Sequence, residues 1–194
     1  MSAVLEGTVL AALREWLPGN VEADRPRVQL ATVDGEGRPD LRTVLLSEWD
    51  EHGLVFHTDA ASRKAAHLAD RPQAAMLLLW PGFTRQLTAR GTVVAQGAAD
   101  AARAYADRSP YLQQLAWQNT AATARLPRAQ RVDAWRQAEQ VRAGGPLAPP
   151  STWSGFVLQP DRVTFWEADA EGPSHRAEHR RDTDGAWSVH HLPG

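Results

Sequence analysis

The sequence predicts a mainly β fold with helices, an α+β chain built as one domain over residues 1–194. Three observations predict it. Short runs of alternating apolar and polar residues, bounded by turn residues, fill residues 26–97. The alternation returns over residues 151–194. Between them, residues 98–142 lose it and become rich in alanine, arginine and glutamine, a helical composition. A chain of 194 residues is long enough to bury one core and short for two.

In chain order, Leu5, Val9, Leu13, Trp16 and Leu17 recur at helical spacing with Glu6, Arg14 and Glu15 between them. The N-terminal segment 1–25 therefore carries an amphipathic helix over residues 3–17, ended by Pro18-Gly19 and packed on the sheet. Arg27–Val33 is the first strand, and Asp34-Gly35-Glu36-Gly37 turns it into the second, Asp40–Ser47. On that second strand Leu41, Thr43, Leu45 and Ser47 share one face, and Arg42, Val44 and Leu46 the other. Arg42 thus projects from a largely apolar face and needs a partner. Leu41–Leu46 and Leu54–Phe56, separated by Asp50-Glu51-His52-Gly53, read as a β-hairpin. Ser62 is placed to cap a helix that Pro72 closes.

Ala74–Trp80 is a continuous apolar run, expected as a strand buried on both faces. After the Pro81-Gly82 turn, Thr84–Gln96 puts Thr84, Gln86, Thr88, Arg90 and Thr92 on a polar face and Leu87, Ala89, Gly91 and Val93 on an apolar one. The helical region breaks near Ser109-Pro110 and again near Pro127. A Pro/Gly-rich connector over 143–151 leads back to the same domain, because the residues beyond it are too few to form a core of their own. Three or four short strands fit there: Thr152–Leu158, Arg162–Trp166, His175–Arg181 and Trp187–His191.

Composition removes several functions. A net charge of −2 gives no electrostatic case for nucleic acid or a membrane surface. Without cysteine there is neither a disulfide framework nor a thiolate metal site. The densest apolar run, Met76–Trp80, falls far short of the ~20 residues that span a bilayer. A cytoplasmic protein is expected. Eight tryptophans serve cores, interfaces or planar ligands.

One stretch carries chemistry. Arg63 and Lys64 fall in the first turn after Ser62, where the helix dipole disfavours cations. Together with the free helix N–H groups and Arg42 they make a phosphate cradle; the alternative is a solvated basic pair. His175 and His179 share a strand face, but no further ligands converge in sequence, so no metal site is expected.

RTVLLS, GLVFHT, SRKAAHLADRPQAAMLLLW and RQLTARGTV, followed by WSGFVLQPDRVTFWE and HRAEHR, fall in one order across most of residues 26–194. That series resembles the pyridoxamine 5′-phosphate oxidase family of FMN-binding split β-barrels. The resemblance implies a β-barrel with peripheral helices. Residues 26–97 would form the core barrel, and 151–194 would complete the barrel and a homodimer interface where FMN lies. Carried over by position, the cofactor set is Arg42, Thr43, Val44, Leu45, Leu46, Ser47, His57, Thr58, Arg63, Lys64, Gln86, Trp166 and Arg180. The family's Gln-Ser contact falls near Ala121-Ala122, leaving Gln118 or Asn119 to complete it in a shifted register.

The substrate pocket departs further from the family. Its set here would be Ser47, Tyr105, Arg108, Ser109, Arg176 and Glu178. Ser47 stands where the family has a lysine, Ser109 where it has an arginine with Arg108 one residue early, and Glu178 where it has a histidine. Arg176 would orient the substrate, and Glu178 would act as base or hold an amine; a surface ion pair of Glu178 with Arg180 or Arg181 is the alternative. The resemblance implies an FMN-dependent oxidase. Hydride would pass from a small nitrogen-containing substrate to FMN, with O₂ as acceptor and the substrate changed. Genuine pyridoxamine or pyridoxine 5′-phosphate oxidation, a non-catalytic flavin- or pyridoxal-phosphate-binding protein, and a deazaflavin-using barrel remain alternatives.

Overall fold

A computed structural model describes residues 3–22, 24–142, 145 and 147–193. Ala143, Gly144 and Pro146 of the expected connector lie outside the described residues. Nine strands form one antiparallel sheet. Strand β1 (Arg27–Val33) pairs with β2 (Pro39–Leu45) through a tight turn. The Asp34 carboxylate accepts the N–H groups of Glu36 and Arg38 there, and Gly37 supplies the positive φ of 85°. The expected Arg27–Val33 strand and its turn are both present.

The expected hairpin across residues 50–53 is corrected. Its first arm is not the long strand β2 but a three-residue strand β3 (Glu48–Asp50), which pairs with β4 (Gly53–Asp59). Strand β2 bonds β1 instead, and the chain changes partner at Leu46-Ser47: the Leu46 N–H reaches Pro26 and the Ser47 N–H reaches Val55. The sheet order is β2-β1-β5-β6-β7-β4-β3, with β5 Gln73–Leu79, β6 Arg85–Ala95 and β7 Trp153–Glu167. Its two ends, β2 and β3, are consecutive in the chain, so the sheet curls on itself into a barrel.

Two expected C-terminal strands are one. Strand β7 runs 15 residues without a break, because the bulge at Pro160-Asp161 shifts register against β6 rather than ending the pairing. Its other edge divides there. Residues 153–158 pair with β4, and residues 162–167 pair with β8 (His175–Arg181), which pairs in turn with β9 (Trp187–Leu192). The barrel is therefore split. Strand β5 alternates instead of being buried on both faces: Ala74, Met76 and Leu78 enter the core, while Ala75 and Leu77 are only partly covered.

Helix α1 (Gly7–Trp16) lays Val9 and Leu13, flanked by Leu5 and Leu17, onto the core formed by Leu30, Phe56, Met76, Leu87 and Leu158. Trp187 ties β9 to that segment through its indole N–H to the Val4 carbonyl, 2.9 Å. Helix α2 (Arg63–Asp70) starts at Ser62 as expected, its side chain accepting the Ala65 N–H. The expected helical region divides into α3 (Ala98–Ala106), α4 (Pro110–Gln118), α5 (Ala121–Ala124) and α6 (Arg128–Arg142). Two of the three breaks fall at Ser109-Pro110 and Pro127, as the prolines require; the third, at Asn119-Thr120, was not expected and is set by Thr120 capping α5.

Gly91 is where the bulged strands touch: a Cβ there would lie 2.1 Å from the Gln159 carbonyl oxygen. Gly91→Ala is therefore expected to lower unfolding free energy by at least ~1–3 kcal/mol. Urea denaturation measures it, and an unchanged midpoint would show that the ladder does not need this close approach.

Candidate active site

The second strand and the start of α2 enclose a cleft of about 740 Å³. Arg42, Thr43, Val44 and Leu45 form one wall, His57, Thr58, Arg63 and Lys64 another. Arg42 is anchored from behind. Its Nη1 donates to the Leu30 carbonyl at 3.0 Å and to Thr32 Oγ1 at 2.8 Å, and that hydroxyl also bonds His67 Nδ1 at 3.0 Å. Nη2 sits 2.7 Å from Asp40 Oδ2 as an ion pair, yet this buried nitrogen makes no well-aligned hydrogen bond. The partner that the sequence demanded for Arg42 is thus supplied mainly by β1, with donor capacity left over. Lys64 Nζ donates to Thr58 Oγ1 at 2.9 Å, and burial together with the charge of Arg42 pushes the Lys64 pKa down. Arg63 is exposed, 3.8 Å from Asp40.

A second network closes the floor. His57 is buried and stacks flat on Trp153, ring centroids 5.0 Å apart. Its Nε2 lies 2.9 Å from Gln96 Oε1 and its Nδ1 2.9 Å from Ser47 Oγ. With the amide oxygen accepting from Nε2–H, the hydroxyl of Ser47 donates to Nδ1. Gln96 reaches His57 because residue 155 is glycine; a Cβ there would lie 2.1 Å from the Gln96 amide oxygen. Burial, reinforced by the nearby charge of Arg108, lowers the His57 pKa to about 4, so the imidazole is neutral at physiological pH. Arg108 approaches Ser47 Oγ at 3.5 Å and lies over the Trp153 ring, 4.4 Å from its centroid. Burial lowers its pKa to about 10.

The remaining expected residues sit elsewhere. Leu46 turns into the core, and Ser47 faces a neighbouring cleft of about 600 Å³ that shares Leu45, Arg108 and Leu112 with the first. Tyr105, expected as a substrate contact, is 1% exposed, packed edge-on against Trp153, with its hydroxyl donating to the Gln113 carbonyl. Ser109 is an N-cap, its Oγ accepting the Leu112 N–H of α4. Of the two substitutes for the Ala121-Ala122 gap, Asn119 lines the cleft and Gln118 does not.

Gln86, Trp166, Arg176, Glu178 and Arg180 gather on the far half of β7 and its neighbours. Gln86 pairs with Trp166 and Trp166 with Arg176, while the exposed Phe83 ring leans on Trp166 at 4.7 Å. Glu178 is not open to a substrate. Its Oε1 takes the Arg180 Nε–H, and its Oε2 faces Arg162 at 3.5 Å and Thr164 at 3.4 Å. Burial alone would raise its pKa; the Arg180 hydrogen bond and the charges of Arg162 and Arg180 outweigh that and hold it below the usual carboxylate value. An anion held so firmly is a poor base. The ion pair with Arg180, weighed as an alternative, is the observed state.

Gln96, Trp153, Thr32 and His67 were missed as site residues. Thr32 and His67 reach the site from 35 residues apart, and Gln96 meets His57 across 39, separations that no local spacing rule encodes. His175 Nε2 and His191 Nδ1 lie 3.2 Å apart, and His179 is buried against Phe165. Among the described residues no group of three or more His, Asp or Glu side chains converges on a metal position. Among the described residues no helix is long and apolar enough to cross a membrane.

A split antiparallel barrel of this topology, ringed by helices, is the FMN-binding split-barrel fold. Residues 11–142 match the family model described as pyridoxamine 5′-phosphate oxidase. The chain belongs to the pyridoxamine 5′-phosphate oxidase family. A pyridoxine/pyridoxamine 5′-phosphate oxidase of Ralstonia pickettii is 33% identical, covering 98% of this chain and 91% of that protein. One from Rhodopseudomonas palustris is 35% identical over 94% and 88%. Among solved structures, PhzG from Burkholderia lata, in complex with tetrahydrophenazine-1-carboxylic acid, superposes with a TM-score of 0.79 at 23% identity, covering 95% of this chain and 88% of that one. A pyridoxamine 5′-phosphate oxidase-related, FMN-binding protein from Nostoc punctiforme gives 0.74 at 22%, covering 97% and 98%.

Because the folded pKa of His57 lies below its unfolded value, the unfolded chain takes up the proton first as pH falls. The stability this histidine contributes is full above about 6.5 and is lost as pH falls toward about 4, on the order of 3 kcal/mol in all. Urea midpoints measured across that window should fall more steeply for the wild type than for His57→Gln. Parallel curves would remove His57 from the account.

Proposed function

We propose that this chain is an FMN-dependent oxidase that takes a hydride from a small nitrogen-containing substrate and uses O₂ as acceptor, with its whole length acting as one domain. The observation that carries this is the clustering of Arg42, Arg63 and Lys64 at the start of α2, where the helix field already disfavours cations. Burial and the charge of Arg42 push the Lys64 pKa down, and Arg42 and Arg63 share the carboxylate of Asp40, an excess of positive charge that suits a doubly charged phosphate. The residues fit the group. FMN, when bound, would accept the hydride from a C–H bond next to nitrogen and pass the electrons to O₂, releasing hydrogen peroxide.

Arg42, Ser62, Arg63 and Lys64 would hold the phosphate, with Thr43, Val44, Leu45, His57 and Thr58 forming the wall beside it. Gln86, Trp166, Arg176 and Arg180 would act from a second copy of the chain. His57 and Thr58 pair with Gly155 and Ser154 at one end of β7, and Gln86 pairs with Trp166 at the other. At ~3.3 Å per residue that stretch runs up to about 40 Å along the strand, longer than a flavin, which favours the two clusters acting from different copies of the chain. A homodimer would bring them together. Arg176 would then orient the substrate in the partner's cleft, and Glu178, an anion locked between Arg162 and Arg180, would fix the position of Arg180 rather than take a proton.

The relatives named pyridoxine/pyridoxamine 5′-phosphate oxidases favour a second reading, oxidation of those vitamers. The neutral Ser47, the buried Tyr105 and the capping Ser109 weigh against it, since each vacates a phosphate contact. Hydrogen peroxide release from pyridoxine 5′-phosphate at micromolar concentration separates the two: turnover there overturns the changed-substrate proposal.

Absorbance between about 300 and 550 nm should show flavin bands that survive desalting in the wild type and disappear in Arg63→Ala/Lys64→Ala. Wild-type protein without bands after FMN loading would sink the oxidase proposal. Thr32→Val, which removes the hydroxyl behind Arg42, should weaken FMN affinity about tenfold, equivalent to roughly 1.4 kcal/mol, while Thr32→Ser retains it. Equal affinities, measured by flavin fluorescence, would show that Arg42 needs no support from β1.

A further inference from the structure

The open end of the β8–β9 hairpin carries a histidine pair that the candidate site does not use. His175 is the first residue of β8, and His191 is the last but one of β9. The register sets His191 opposite Ala177, so His175, Ala177, His179 and His191 share one side of the sheet. His175 Nε2 and His191 Nδ1 stand 3.2 Å apart. Both rings are exposed, and their planes are tilted by 42°. Spacing along β8 offered only His179 as a companion for His175; the closer one comes from the neighbouring strand.

That separation is the one a shared metal ion requires. Two imidazole nitrogens bound at ~2.0–2.1 Å lie about 2.9–3.4 Å from each other, for ligand angles between square and tetrahedral. Without a cation the pair shares a single N–H in an exposed hydrogen bond, which water competes for. A cation would take the lone pair of each facing nitrogen. The ring that carries the N–H moves its proton to its other nitrogen, so two nitrogen–metal bonds replace one hydrogen bond and both rings stay neutral.

The surroundings suit a dication. The connection leading into His175 carries the exposed Asp169 and Glu171. Glu167 lies opposite His175 in the register and is tied to Arg85 at 2.7 Å. Arg176 and Arg180 alternate to the other face of β8, and Arg181 sits at the far end of the strand, opposite Trp187. His179 is 5% exposed, and among the described residues no third His, Asp or Glu converges on the pair. Two imidazoles therefore make up the protein's share, with the other positions left to water. Such donors select Zn²⁺ or Cu²⁺ over Mg²⁺ or Ca²⁺. Strand β9 pairs only with β8. The Trp187 indole ties its turn end to Val4, and a chelate at His191 would tie its open end to β8.

We propose that His175 and His191 chelate one divalent transition-metal ion, Zn²⁺ or Cu²⁺, which staples β9 to β8. The site needs no flavin.

Calorimetric titration of the untagged full chain with ZnCl₂ should give one Zn²⁺ per chain. His175→Ala and His191→Ala should each weaken binding at least ~10-fold, because a single imidazole has no second ligand held at high local concentration. His190→Ala should bind as the wild type does, since His190 lies on the other face, 3.1 Å from Ser188 Oγ. Urea midpoints should rise with Zn²⁺ in the wild type and in His190→Ala, and stay put in the other two variants. Midpoints without metal report whether each variant folds. In the Cu²⁺-loaded wild type, electron paramagnetic resonance should show hyperfine splitting from two nitrogens. Absence of Zn²⁺ binding by the wild type, undiminished binding in His175→Ala or His191→Ala, an equal loss in His190→Ala, or a Cu²⁺ signal with fewer than two nitrogens overturns the inference.

Discussion

Strand β7 has to satisfy backbone hydrogen bonds on both edges along its whole length, and Pro160 has no N–H to give. Its register against β6 therefore shifts at Pro160-Asp161, made possible by Gly91, which lets the two backbones approach. On the opposite edge the partner changes at the same place, from β4 to β8. The crossing at Leu46-Ser47 completes the closure by carrying the chain from one end of the sheet to the other. Placement of the candidate site follows from these two points. The cation cleft lies where β2 and β4 approach, and the Trp166 cluster lies beyond the bulge.

Electrostatics decides how the substitutions at the expected substrate positions fit together. A lysine at position 47 would set its ammonium near the Arg108 guanidinium, a repulsion of several kcal/mol at about 4 Å and an effective dielectric of ~20. Serine removes that conflict and supplies a hydroxyl that bridges Arg108 and His57. Burial keeps His57 neutral, so the imidazole accepts from Ser47 and donates to Gln96 without adding charge. These departures are one coupled arrangement: the strand loses a positive charge at Ser47, and the arginine beyond α3 stands one residue early, at Arg108. At the other cluster Glu178 neutralises Arg162 and Arg180, and a carboxylate there stabilises the arginines instead of opposing an anion.

Much of this was legible in the sequence. The 2-residue alternation placed β1, the polar and apolar faces of β6 and the strands β8 and β9, and the Ser62 cap placed α2 with Arg63 and Lys64 in its first turn. Prolines marked two of the three breaks in the helical region. The errors share a cause. Pattern along the chain reports which residues alternate but not which strand is the partner, so the 50–53 hairpin received the wrong first arm. Likewise Pro160 read as an end when it is a bulge.

By itself the sequence determined most of the elements and the basic motif at the start of α2, because those depend on local periodicity, capping and contiguous residue types, and its ordered motifs carried the family resemblance. Tertiary structure alone decided which cations are neutralised and which are not. Arg42 found Asp40 besides the neutral Leu30 carbonyl and Thr32 hydroxyl, Glu178 found Arg162 as well as Arg180, and Arg108 found only a ring and a hydroxyl. Charge pairing and desolvation depend on distance in three dimensions, and strands brought together by closure of the barrel lie far apart in the chain.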